Sequence, residues 1–170
     1  QRSLRAACIA QRETGLPMQV HLPAWFRLGD DVLDLVEGMG VAPHAVVLCH
    51  MNPSGSDEAY QRRLMDRGAW VQYDMVGAGL YYADQGVQCP SDEDDAENIA
   101  ALVRGGFADR LLVSSDIFLK CLLRRYGGPG YGHVLQYFVP RLARHGLDAD
   151  DIENLLVRNP RSLFEQAEVR

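Results

Sequence analysis

Four positions pair a ligand-type or base-type side chain with the end of an apolar run: His21, His50, Asp74 and Asp116. Imidazole nitrogen and carboxylate oxygen are the usual ligands of a catalytic divalent ion such as zinc, whereas structural zinc sites more often use thiolates. The cysteines Cys8, Cys49, Cys89 and Cys121 form no CxxC pair, which argues against a zinc ribbon or a redox motif. An ion with one open coordination position lowers the pKa of a bound water and polarises the bond to be attacked. An aspartate such as Asp116 can bind metal through one oxygen and take a proton through the other. His21, His50 and Asp116 are therefore the candidate metal ligands, and Asp116 is the candidate catalytic base. Trp25, Tyr73, Asp74 and Phe118 are the candidate substrate contacts, with Asp74 also suited to supporting a ligand from behind. The plainer alternative for each residue alone is a polar group at a strand end or a packing aromatic. Two His and an Asp at separate strand ends carry the metal reading further than any one of them.

These residues must be placed by the elements before them. Met18–His21, Ala45–His50, Ala69–Asp74 and Arg110–Asp116 read as strands, and the second is almost wholly apolar, as in parallel sheets covered on both faces. Helices are predicted over Ser3–Thr14, from Asp30 as N-cap, from Ser56 or Asp57 to about Arg67, and over Asp94–Val103. Val76–Pro90 reads as a long Gly-rich loop. A second Gly-rich loop runs through Tyr126–Tyr131. Helices over about His133–His145, Asp148–Val157 and from Pro160 onward close the chain.

Alternation of strand and helix argues for a parallel sheet with right-handed crossovers. No GxGxxG or P-loop follows the first strand, so a nucleotide-binding sheet has little support. In a (β/α)8 barrel, active-site residues sit at the C-terminal ends of several strands. His21 and His50 are 29 residues apart, His50 and Asp74 are 24 apart, and Asp74 and Asp116 are 42 apart. The first two intervals match one βα unit each, and the third matches one unit enlarged by the Val76–Pro90 loop. His44, His133 and His145 are weaker candidates: one precedes a strand, one starts a helix and one lies near a helix end, where a positive charge suits the dipole.

The 170 residues carry 47% hydrophobic and 24% charged side chains and a net charge of −6. That composition is globular and disfavours a nucleic-acid partner. The acidic run Ser91–Asp95 reads as a helix start. No apolar run approaches the roughly 20 residues of a membrane span, and no signal peptide is visible. The expectation is a cytoplasmic protein acting on a small molecule, without membrane or nucleic acid, and able to form a homodimer. The chain opens directly on helical sequence without an initiator Met, as expected for a piece of a longer chain.

Several segments together are similar to the phosphotriesterase family of the amidohydrolase superfamily. Leu4–Ala7 through Thr14–Pro17 to His21 resembles the approach to its fifth strand. Val46–His50 resembles the sixth strand and Arg110–Asp116 the eighth. Tyr126–Tyr131 with Gly132-His133, and Asn159-Pro160 with Leu163-Phe164, resemble the phosphotriesterase-related branch. The resemblance covers nearly the whole chain. It implies a (β/α)8 TIM barrel of which residues 1–170 supply roughly strands five to eight, the C-terminal half of a single metallo-hydrolase domain. It also implies two divalent ions, most commonly zinc, with His21 and His50 on the more exposed ion and Asp116 on the buried one. A bridging hydroxide would attack an ester, lactone, phosphotriester or amide. The first-strand His-x-His pair and the bridging, often carbamylated, lysine have no counterpart here and would precede Gln1.

Met75 stands where organophosphate-degrading relatives place a relay His after Asp74, and Pro53 near where they place a second acid. Met75 also does not supply the arginine that lactonases carry there. A metal-dependent hydrolase with its own seventh-strand loop is the leading expectation. A non-catalytic ligand-binding barrel and a mononuclear deaminase are the alternatives.

Overall fold

The computed structural model describes residues 1–166. Four parallel strands, β1 (Met18–His21), β2 (Val46–Cys49), β3 (Trp70–Tyr73) and β6 (Leu111–Val113), form one sheet in the order β1-β2-β3-β6. In register, His21 lies beside Cys49, Leu48 beside Val71, and Tyr73 beside Val113. Helices α1 (Arg2–Thr14), α2 (Gly29–Gly38), α3 (Glu58–Asp66) and α4 (Asp92–Arg104) alternate with the strands. These are repeated βα units of a (β/α)8 barrel.

Side-chain parity divides the apolar residues into two clusters, because successive strand residues face opposite sides of a sheet. Val46, Leu48, Val71, Tyr73 and Leu111 pack with Leu33, Leu64 and Ile99 from the helices. Val47, Cys49, Trp70 and Leu112 pack with Leu163 on the other face. Each fully buried Leu contributes on the order of 2 kcal/mol. The helices approach closely: a Cβ on Gly29 would stand 2.6 Å from the Tyr60 hydroxyl, to which the Gly29 N–H donates at 2.8 Å.

Several boundaries differ from the sequence reading. Helix α2 starts at Gly29 with Leu28 in the cap position, so Asp30 is not the N-cap. Asp30 instead lies in the first turn, where a negative charge suits the dipole, and pairs with Arg63 at 2.8 Å and Arg67 at 3.3 Å. Asp57 does cap α3, accepting from the Tyr60 N–H. Helix α4 begins at Asp92, two residues earlier than expected, because Ser91 and Asp94 form a capping box. The expected Val76–Pro90 loop contains an antiparallel hairpin, β4 (Tyr81–Tyr82) and β5 (Val87–Gln88).

At the C-terminus, α5 (Val139–Arg144), α6 (Ala149–Glu153) and α7 (Asn159–Glu165) are joined to π-helical turns over Val134–Phe138 and Asn154–Arg158. Each π turn ends two residues before a proline, Pro140 or Pro160. Proline lacks the N–H that an α-helix needs and its ring crowds the carbonyl four residues back. A wider turn relieves that conflict. Any continuation of α7 beyond Gln166 lies outside the described residues. Among the described residues no helix is long and apolar enough to cross a membrane.

Candidate metal centre

The C-terminal ends of β1, β2 and β6 open into a cavity of about 760 Å³ lined by His21, His50 and Asp116. His21 is the last residue of β1, whereas His50 follows β2 by one residue and Asp116 follows β6 by three. The imidazoles of His21 and His50 meet edge to face with centroids 4.3 Å apart. His50 and Asp116 are the two non-glycine residues with positive φ among those described, at 59° and 38°. That backbone region disfavours a Cβ and persists where surrounding structure holds it.

His50 is held from behind. Asp74 Oδ1 accepts hydrogen bonds at 2.9 Å from both the His50 backbone N–H and its Nδ1. Asp74 Oδ2 accepts from Gln72 Nε2 at 2.8 Å. The carboxylate is buried and occupied on both oxygens. The hydrogen bond to Asp74 raises the pKa of His50, and burial opposes the rise. With Nδ1 as donor, Nε2 is the nitrogen that carries the lone pair.

Burial and the nearby Asp74 charge push the Cys49 thiol up to about 12, so without a bound metal it stays protonated at neutral pH. Among the described residues, no three His, Cys, Asp or Glu groups converge closely enough to hold an ion alone. The chemistry nonetheless suits part of a divalent-metal donor set: two adjacent imidazoles, one fixed by a carboxylate, and a carboxylate facing the same cavity. A backing carboxylate that sets tautomer and ring orientation is the usual partner of a metal-binding His.

Trp25 and Phe118 line the cavity as expected, and Phe26, Met75, Tyr82, Gln85 and Val87 join them. Two expected substrate contacts do not. Tyr73 is fully buried on the helix-facing side of β3, and its hydroxyl donates to Gln61 Oε1 at 2.7 Å. Strand parity sends it there, opposite Gln72 and Asp74. Burial drives its pKa strongly upward. Asp74 supports His50 and does not line the cavity.

Sequence reasoning also missed Gln72, whose signal was its i−2 spacing from Asp74, and the hairpin wall. It missed the polar group beneath the β2 and β3 ends as well. Gln61 Nε2 donates to the Met51 carbonyl and to Ser54 Oγ, both at 2.8 Å. Asn52 accepts from the Met75 N–H at 3.1 Å and donates to Asp95 Oδ2 at 2.6 Å.

Residues 1–164 match the phosphotriesterase family. The chain belongs to that family. A resiniferatoxin-binding protein from Rhodobacter sphaeroides is 52% identical, with a TM-score of 0.95 over 99% of this chain and 48% of that one. The phosphotriesterase homology protein of Escherichia coli, solved with phosphate in its active site, is 28% identical with a TM-score of 0.81, covering 94% of this chain and 51% of that one. The N-acetyltaurine hydrolase of Xenopus tropicalis is 29% identical over 160 residues, 93% of this chain and 46% of that protein. The chain thus spans about half the length of the relatives it matches.

Proposed function

We propose that this chain is the C-terminal half of a metal-dependent hydrolase barrel, roughly its strands five to eight, and that the complete protein cleaves an ester, lactone, phosphotriester or amide bond. The observation that carries this reading is the His21–His50 pair with Asp74 behind it, facing one cavity with Asp116. His21 and His50 would hold the exposed ion of a pair, and Asp116 the buried one, with zinc the leading choice and a bridging lysine supplied from outside these residues. Such ions, when bound, activate water and polarise the scissile bond. Asp74 keeps His50 oriented, Asp116 receives a proton, and Trp25 and Phe118 exclude water from the apolar side of the substrate.

Among the described residues lining the cavity there is no lysine or arginine. A neutral substrate with a bulky apolar group therefore suits this wall better than an anionic one. That suggests a preference unlike that of a hydrolase for N-acetyltaurine, and it is in keeping with the name of the resiniferatoxin-binding relative.

Metal analysis of the full-length protein should give two ions per chain. Turnover of a panel of neutral lactones, aryl esters and N-acyl amides should be lost in Asp116→Asn. A metal-free folded protein without turnover would overturn the proposal. That same outcome, with apolar ligands still bound, is what the second reading expects. In it the barrel is a binding protein, a role favoured by the apolar wall and by Met75 in place of a relay histidine.

A further inference from the structure

We infer that His133 is a positioning residue for the cavity, acting through Asp92 to close the neck of the loop that carries the β4–β5 hairpin. The inference rests on reading this cavity as the substrate pocket. The loop after β3 supplies Met75, Tyr82, Gln85 and Val87 to the cavity wall. Its two ends are joined by one carboxylate. Asp92, at the start of α4, accepts the Gly77 N–H on Oδ1 at 2.8 Å. Its other oxygen, Oδ2, lies 2.6 Å from His133 Nε2. Both side chains are mostly buried, at 17% and 16% exposure.

The His133 ring also lies directly on the neck. Gly77 has φ 79°, and a Cβ there would stand 2.7 Å from His133 Cδ2. Glycine is thus required both by its backbone and by the imidazole above it. Tyr137 flanks the ring on another side, 5.3 Å away between centroids. Closing a loop costs entropy that a clamp at its ends offsets in advance. Beyond the clamp, the hairpin reaches the cavity through Tyr82, which meets Trp25 edge to face at 5.4 Å. Loosening His133 should therefore free the Tyr82 side of the wall and leave the His21–His50 side in place.

Trp25 reports this without any reaction. In the full-length protein, acrylamide quenching of the Trp25 component is obtained by difference against Trp25→Phe. Quenching should rise in His133→Ala and in His133→Asn, which is too short to reach Asp92. It should return to the wild-type value in His133→Gln, whose amide nitrogen matches Nε2 in reach. In turnover assays, KM for 4-nitrophenyl butyrate should rise about tenfold in His133→Asn, while KM for methyl acetate and both kcat values stay near wild type. Unchanged quenching in His133→Asn, or a fall in thermal stability with no difference between Asn and Gln, would overturn the inference. Absence of turnover in the wild-type protein would count against the hydrolase reading alone, because the quenching result stands without it.

Discussion

His50 and Asp74 are joined twice through a single oxygen: Asp74 Oδ1 takes both the backbone N–H and the Nδ1 of His50 at 2.9 Å. One contact fixes the backbone at a positive φ of 59°, and the other fixes the ring. Removing the carboxylate releases both. Asp74→Ala is expected to lower metal affinity or kcat/KM by about 10- to 100-fold, measured by metal content after dialysis and by initial rates. Asp74→Asn keeps one acceptor oxygen and should lie between. Equal metal retention in wild type and Asp74→Ala would contradict this role.

The aromatic wall makes a separate prediction. Trp25 and Tyr82 form an edge-to-face pair, a geometry worth about 0.5–1.5 kcal/mol beyond the area it buries. Tyr82→Ala should weaken binding of bulky neutral esters by about 3- to 10-fold and leave the smallest substrates unaffected. Steady-state KM values across an ester series of rising size provide the check.

How much of this was legible beforehand follows from where the physics is local. The four parallel strands were legible because each is a short run with apolar or β-branched residues, and Val46–Cys49 is apolar on both faces, a pattern set by burial and visible in one dimension. That His21, His50 and Asp116 would line one cavity was legible because the parallel strands before them all end at the same face. Tyr73 was misplaced, although its strand parity with Gln72 and Asp74 already separated it from the cavity. The hairpin escaped notice because each of its strands is two residues long. The His133–Asp92–Gly77 clamp joins residues distant in the chain, and nothing local marks it. The π turns reflect a conflict between Pro140 or Pro160 and the helix before it, and their resolution depends on packing.

Asp95 predicts a pH effect on stability. It is fully buried, one oxygen accepts from Asn52, and Oδ1 has no hydrogen-bond partner among the described residues. Burial raises its pKa from 3.8 to about 7. A folded-state pKa above the unfolded one favours folding at low pH. That contribution is fully present below about pH 4 and is lost as pH rises through about 7. The shift corresponds to at most about 4 kcal/mol. Asp95→Asn resembles the neutral acid, so it should match wild type near pH 4 and exceed it in denaturant midpoint at pH 8. The difference between the two proteins isolates this group from the other carboxylates. A difference that does not change with pH would contradict the prediction.

Asp116 predicts a conflict between stability and function. It is exposed, with φ at 38°, in a region where a Cβ is strained by about 1–2 kcal/mol. Aspartate tolerates that region better than alanine does, and glycine carries no penalty there. Asp116→Gly should therefore be more stable than Asp116→Ala by about 1 kcal/mol and at least as stable as wild type in the metal-free protein. Both substitutions remove the carboxylate, so both should abolish turnover equally. Thermal denaturation with a chelator present, set beside initial rates with metal restored, separates the two effects. If glycine and alanine at 116 were equally stable, the backbone there would not be strained. If wild type were the most stable of the three without metal, its carboxylate would be serving the fold. The expected order, glycine at or above aspartate and both above alanine, means that a strained backbone is kept to hold a carboxylate at the mouth of the cavity.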